Sequence, residues 1–389
     1  MKKSMKLMAL LLSLMMVLVA CGKKDNNDSN NSKGADTDII HIGGLAPLTG
    51  NVSIYGVSAD KGAQLAFKEI NEAGGILDKQ VKYEVLDEQG DANEAVNAYN
   101  KLVSEGIVAL VGDITSGPTE AVAALSVDDN MPMITPTGTQ FSLTEGRPNV
   151  FRICYTDPYQ GEILAQYVAD DLGLEKVAIM KNNSSDYSQG VADTFEEHAK
   201  GFGLDVVAVE SYGETDNDFR VQLTNMVSKN PDAILISDYY EKAAIIASQA
   251  REVGLESLFL GPDGWDGVLE QIDEASLDVV AGAVFANHYS MDDPSDKIQN
   301  FLQAYRDEYG ENPSAFSALA YDAAYLYKEA MEKAGSTDGQ AIVDAIKAIE
   351  FDGITGKFTY DDNNNPVKAV SIIKIVDGEY RLDTVVEPK

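Results

Sequence analysis

From Ile39 onward the chain alternates short β-branched runs with longer stretches whose apolar residues recur at helical spacing. Ile39 to Leu45 reads as a strand. The next stretch places Ala63, Ala66, Phe67 and Ile70 at i, i+3, i+4 and i+7 and stops at Gly74-Gly75. Val81, Tyr83 and Val85 alternate as a second strand. Ala95, Val96, Tyr99, Leu102 and Val103 then share one helix face, and Ile107 to Val111 is a continuous apolar run suited to burial on both sides. After Asp157-Pro158 the alternation restarts with strand Lys176–Met180, helix Tyr187–Lys200, strand Asp205–Ser211, helix Asp218–Lys229, strand Ala233–Ser237, helix Glu241–Val253 and strand Ser257–Leu260. Beyond Ala286 the pattern turns helical, over Ser295–Tyr309, Pro313–Lys333 and Asp338–Ile349, and closes on strand-like segments at Gly356–Tyr360 and Val367–Val376. Two successive βα series predict an α/β protein with two doubly wound lobes. The three helices are expected to pack back on the first lobe and the final strands to return to the second. No repeat of fixed period is visible, so the likeness of the two halves is architectural.

The first residues follow another rule. Lys2, Lys3 and Lys6 precede an uncharged apolar run, Leu7 to Ala20, which is too short to span a bilayer comfortably and reads as a signal peptide over residues 1–20. The run ends Leu18-Val19-Ala20-Cys21-Gly22, which resembles the lipobox of bacterial lipoproteins. That resemblance makes Cys21 a lipidated N-terminus and the lipid the membrane anchor, on the extracytoplasmic face. Residues 21–37 hold the polar run KKDNNDSNNSKGAD and are expected to be a flexible tether, because nothing there can offset the entropy of ordering.

Charge and cysteine content narrow the partners. The formal net charge is −33, and losing the three lysines of residues 1–20 makes it −36. Such a surface repels nucleic acid and favours solubility, and a monomer is expected. With Cys21 lipidated, Cys154 stands alone in Val150-Phe151-Arg152-Ile153-Cys154 and reads as a small buried hydrophobe.

Catalytic constellations are missing. The histidines His41, His198 and His288 lack zinc-ligand spacing, and neither a nucleotide-binding glycine motif nor a nucleophile elbow occurs. Asp361 to Pro366 has oxygen ligands at calcium-like spacing but Pro where a calcium loop needs Gly and Ile372 where it needs Glu, so it reads as a turn. The expectation is therefore no enzyme, no cofactor and no metal. What remains are polar strand ends, where open α/β sheets bind ligands. Gly112-Asp113-Ile114-Thr115-Ser116-Gly117-Pro118-Thr119 offers N–H groups and a hydroxyl at a helix start, a seat for a carboxylate. Met133 to Thr139 forms a second such end, with Gly138 expected to let a ligand approach the backbone.

Pro47-Leu48-Thr49-Gly50 with Tyr55-Gly56, then Ile70-Asn71-Glu72-Ala73-Gly74-Gly75-Ile76, Met133-Ile134-Thr135-Pro136 and Gly261-Pro262-Asp263-Gly264 occur in the order and spacing of bacterial branched-chain amino acid binding proteins. Over residues 38 to 389 the chain resembles these substrate-binding lipoproteins of ABC importers, which have the type I periplasmic binding protein fold. The resemblance implies capture of a small amino acid, leucine, isoleucine or valine, for an ABC permease and its ATPase. It places Ser116 and Tyr239 on the ligand carboxylate, and the Thr137 carbonyl, Thr139 hydroxyl and Asp263 carboxylate on its ammonium. Tyr55, Ile114, Tyr187 and Phe316 would shape the side-chain pocket. Asp263 stands where these proteins usually carry glutamate, and Trp265 either lines the cleft or packs against a helix that it begins.

The lobes implied are 38–156 plus 286–358 and 157–285 plus 359–389, joined by a hinge crossed near Thr156-Asp157, Phe285-Ala286 and Phe358–Asp361. Other readings stay open: a sensory module acting through a separate signalling partner, or the same transport role for another amino acid, amide or aromatic acid; an enzyme on this fold is disfavoured, since no nucleophile–base pair or metal set can be assembled.

Overall fold

The computed structural model describes residues 39–387. The expected signal peptide, Cys21 and the expected tether lie outside them.

The first sheet contains β1 (Ile39–Ala46), β2 (Gln80–Asp87), β3 (Ala109–Val111), β4 (Met133–Thr135) and β5 (Val150–Arg152), all parallel, in the order β2-β1-β3-β4-β5. Between them run α1 (Ser53–Glu72), α2 (Ala92–Ser104) and α3 (Ser116–Asp128). The side chains alternate as the pleat requires: Leu110, Met133 and Val150 enter the layer of α2 and α3, while Val111, Ile134 and Phe151 enter the core beneath α1.

The chain then crosses to the second lobe and forms α4 (Asp157–Gln166), β6 (Lys176–Asn182), α5 (Asp186–Ala199), β7 (Asp205–Tyr212), α6 (Arg220–Val227), β8 (Ala233–Ser237), α7 (Tyr240–Glu252), β9 (Leu258–Gly261) and β10 (Val284–Asn287). These five strands are ordered β7-β6-β8-β9-β10, the order of the first sheet repeated. Val177, Ile179 and Leu235 face α4 and α5, while Ala178, Met180 and Ile236 face the core shared with α7. Next come α8 (Asp296–Tyr309), α9 (Ala315–Ala334), α10 (Gly339–Lys347) and the short hairpin β11 (Phe351–Gly353) and β12 (Gly356–Phe358). α9 lies along α1, and its Tyr327 hydroxyl donates to the carbonyls of Leu110 (2.7 Å) and Pro132 (2.9 Å), so the three helices do complete the first lobe. The last strands, β13 (Val370–Val376) and β14 (Glu379–Val386), join the second sheet antiparallel beside β10.

Several sequence-level boundaries shift. Phe285 and Ala286, an expected hinge crossing, lie within β10, paired to β13 with Phe285 also paired to β9, so the chain leaves that sheet only after Asn287. The turn Asp361–Pro366 still belongs to the first lobe: Asn364 donates to the Val150 carbonyl (3.0 Å) and Thr144 to Asn365 (2.9 Å). The return crossing therefore follows Pro366. β14 was missed because its residues alternate between exposed and half-buried, a weak pattern at a sheet edge, although Asp377-Gly378 is a hairpin signal.

No α-helix begins at Trp265. Short 3₁₀ segments cover Asp263–Trp265, Val268–Gln271 and Glu274–Val280. Trp265 is wholly buried away from the cleft, its Nε1 donating to the Ile236 carbonyl at 2.9 Å. Its ring lies against Gly261, where an added Cβ would fall 2.2 Å from the indole. The absent side chain is thus what seats the 262–265 turn on β8. Gly261→Ala is expected to lower stability by about 1–3 kcal/mol, the usual cost of overpacking, read as a lower urea midpoint.

Candidate functional site

In each sheet the connections reverse direction between the first and third strands of the series, and there the carboxyl ends open a crevice. The four segments leaving these strands carry part of the expected site, and Thr137 and Thr139 after β4, Asp263 after β9 and Phe316 on α9 complete it. Tyr55 follows β1 and Ser116 follows β3, while Tyr187 follows β6 and Tyr239 follows β8. The lobes meet over these ends. The Tyr240 hydroxyl donates to the Asn51 carbonyl at 2.7 Å, and the Tyr55 hydroxyl donates to the Gly264 carbonyl.

Ile114, Thr115, Ser116, Thr137, Thr139, Tyr187, Tyr239, Asp263, Gly264 and Phe316 line one interlobe cavity with only about 10 Å³ of free volume. That is space for about one water, so the two walls stand nearly closed on each other and a ligand must part them to enter. Tyr55 lies behind Phe316, the rings stacked at 4.1 Å and 6°. Tyr187 stacks on Tyr239 at 4.7 Å.

Asp263 is 2% exposed, and its carboxylate is the best furnished acceptor in the cavity. Oδ1 accepts from the Tyr187 hydroxyl (2.7 Å) and the Gln160 amide (3.2 Å), and Oδ2 lies 3.1 Å from His288 Nε2. Burial pushes His288 below its usual range, so the ring is neutral and donates this proton from Nε2. Its face stacks on Tyr155 at 4.0 Å. Asp157 is also buried, and it is pushed up to about 8 by burial, with the Asp263 charge adding to the rise. It therefore keeps its proton at neutral pH.

The opposite wall is neutral and rich in donors. Ser116 is the first residue of α3, where backbone N–H groups are unpaired and the helix dipole favours an anion. The Tyr239 hydroxyl faces the Ser116 N–H across the cleft. Among the described residues the Ser116 hydroxyl has no protein partner, which leaves it available. The wall is braced from behind: Thr137 Oγ1 donates to the Ile114 carbonyl (2.6 Å), and buried Arg152 donates to the carbonyls of Gly138 (2.9 Å) and Gln140 (2.8 Å). Gly138 serves this bracing more than ligand approach, because an added Cβ there would meet Thr135 Oγ1 at 2.7 Å and Leu143 at 2.9 Å.

The family model described as "Periplasmic binding protein" matches residues 39–379. The chain belongs to the periplasmic binding protein family. Among curated relatives of this family, the Leu/Ile/Val-binding protein BraC3 of Rhizobium johnstonii is 33% identical over 330 residues, covering 84% of this chain and 88% of that protein. Among solved structures, the branched-chain amino acid transporter substrate-binding protein LivJ of Streptococcus pneumoniae, in complex with isoleucine, is 35% identical with a TM-score of 0.84, covering 90% of this chain and all of that one (100%). The leucine-binding protein LivK of Thermotoga maritima is 31% identical with a TM-score of 0.83, covering 90% of this chain and 99% of that one. The type I periplasmic binding fold, two α/β lobes around an interlobe cleft, is thus the fold of this chain.

The structure brings Ile114, Ser116, Thr137, Thr139, Tyr187, Tyr239, Asp263 and Phe316 to one cavity of this periplasmic binding fold, with Tyr55 stacked behind. Sequence reasoning missed Asp157, Gln160 and His288. Asp157 was read only as a boundary, and His288 was set aside for lack of a partner at short spacing; its partner is 25 residues upstream. The other histidines stay outside, His41 against Glu84 (3.2 Å) and His198 near Glu162 (3.9 Å). Cys154 is buried, its thiol directed at the Gly138 carbonyl (3.2 Å) and pushed up to about 12 by burial, so it stays protonated. His288→Ala strips Asp263 Oδ2 of a buried donor, at about 1–3 kcal/mol, and should show as a lower thermal midpoint in the ligand-free protein.

Proposed function

We propose that this protein captures a small amino acid, leucine, isoleucine or valine, between its lobes and delivers it to the permease and ATPase of an ABC importer, as a monomer held to the extracytoplasmic face of the membrane by lipid on Cys21. It performs no chemical step in this reading. The observation that carries the proposal is the polarity of one small cavity: neutral donors at the start of α3 on one wall, and the Asp263 carboxylate on the other. A zwitterion leaving water needs both charges matched by hydrogen bonds. Its carboxylate is met by the Ser116 hydroxyl, the N–H groups of the α3 start and of Thr139, and the Tyr239 hydroxyl; its ammonium by Asp263, the Thr137 carbonyl and Thr139 Oγ1. Ile114, Phe316, Tyr187 and Tyr55 supply the apolar surround for the side chain. The names of BraC3, LivJ and LivK support the ligand class.

The experiment is calorimetry and thermal shift on protein stripped of co-purified ligand, against the amino acids, amides, urea and aromatic acids. A ligand at 100 times its dissociation constant adds about 2.7 kcal/mol of stability. Shifts with leucine, isoleucine and valine support the narrow reading, and a shift with another compound moves the substrate. Silence across the panel overturns amino acid capture. Asp263→Ala leaves the ammonium unpaired at about 3–5 kcal/mol, so affinity should fall by roughly two to four orders of magnitude; unchanged affinity removes Asp263 from the site.

A further inference from the structure

Behind the α3 wall two carboxyl groups meet that no part of the ligand reading uses. Glu88 follows β2 and Asp113 follows β3, and neither has any exposed surface. They lie within hydrogen-bonding reach of each other. Two of their four oxygens are paired: Glu88 Oε2 accepts from the Gly90 N–H (2.8 Å) and Asp113 Oδ1 from the Ile114 N–H (2.5 Å), whereas Glu88 Oε1 and Asp113 Oδ2 have no donor among the described residues. Two buried acceptors facing each other are repulsive as ions, but one proton between them satisfies both.

The neighbours offer no cation. Asp87 adds negative charge and is itself taken up by the Leu48 (2.9 Å) and Thr49 (3.2 Å) N–H groups, and Asp91, one turn on, caps α2. β1 contributes the Ala46 carbonyl, which accepts from the Glu88 N–H (3.3 Å), and β4 the Thr135 hydroxyl, which donates to the Asp113 carbonyl (2.6 Å). The Tyr327 hydroxyl of α9 is already given to Leu110 and Pro132. Burial first, and for Glu88 the Asp113 charge second, push these acids well above the usual carboxylate range.

We propose that Glu88 and Asp113 share one proton, and that this acid–carboxylate pair is the positioning element of the 113–116 loop that presents the carboxylate seat. With the proton in place the loop is pinned to β2, and a single negative charge lies behind the seat. Without it, two charges repel each other and the incoming carboxylate. The native pair holds a proton that the unfolded chain releases near pH 4, so its stabilisation is complete below that pH and is lost as pH rises through the native titration.

The test is Glu88→Gln, whose amide can donate to Asp113 Oδ2 permanently while its oxygen keeps the Gly90 N–H. Stability against pH should show about one fewer linked proton than in the wild type between roughly pH 4 and 9. The wild-type-minus-variant infrared spectrum at pH 7 should contain one carboxylic-acid C=O band. Glu88→Ala, which offers no donor, should be less stable than Glu88→Gln throughout. Parallel pH profiles with no difference band, or a Glu88→Gln protein as damaged as Glu88→Ala, overturn the proposal. These readouts need no ligand. A third rests on the amino acid reading: leucine affinity should fall at alkaline pH in the wild type and less in Glu88→Gln, and equal falls in both overturn the effect on the seat.

Discussion

A carboxylate shut between two lobes loses its water, and desolvation on that scale is tolerable only when donors replace it. Asp263 is held to that constraint by residues from three distant segments, Tyr187 from α5, Gln160 from α4 and His288 beyond β10, and by its own Gly261–Trp265 turn, which fixes its backbone. The Gln160 carbonyl also accepts from the Asp263 N–H at 3.1 Å, which sets the orientation of the amide. Trp265 under Gly261 keeps the turn from sliding. Satisfying one anion therefore organises the whole inner face of the second lobe.

The first lobe solves the opposite problem, presenting positive character without a cation. Helix α3 does this with backbone dipoles, and its start is placed by β3, whose alternating side chains lock it between two hydrophobic layers. Closure then needs both walls in register. The repeated strand order of the two sheets provides it, since each sheet delivers its first and third strand ends to the same crevice.

The lobes and most helices were legible in the sequence because they rest on local periodicity. Helix α9 is an example: its apolar positions predict Pro313–Lys333, and the structure has Ala315–Ala334. The wall at Ser116 was legible for the same reason, a buried strand running into a Pro-containing helix start. His288 was not, because its meaning lies in a contact with Asp263 that only the folded sheet creates. The hinge boundaries slipped likewise: nothing local in Phe285-Ala286 reveals that β13, some ninety residues later, pairs with them. Asp361–Pro366 was recognisable as a turn, but which lobe it serves depends on Asn364 and Asn365 reaching Val150 and Thr144.

The two buried acids of the cleft show how environment rather than residue type sets charge. Gln160 donates from one amide nitrogen to Asp263 (3.2 Å) and to Asp157 (3.1 Å), so it does not distinguish them. The Tyr187 hydroxyl and His288 do, since both turn to Asp263, while Asp157 Oδ2 has no donor among the described residues and its proton is retained up to about pH 8. At neutral pH Asp157 therefore adds no second negative charge beside the Asp263 carboxylate. A second cationic group would find no second anion on the other walls, which are neutral: serine, threonine, tyrosine, phenylalanine and isoleucine. The proton on Asp157 thus limits the charge that a ligand of this cleft can carry.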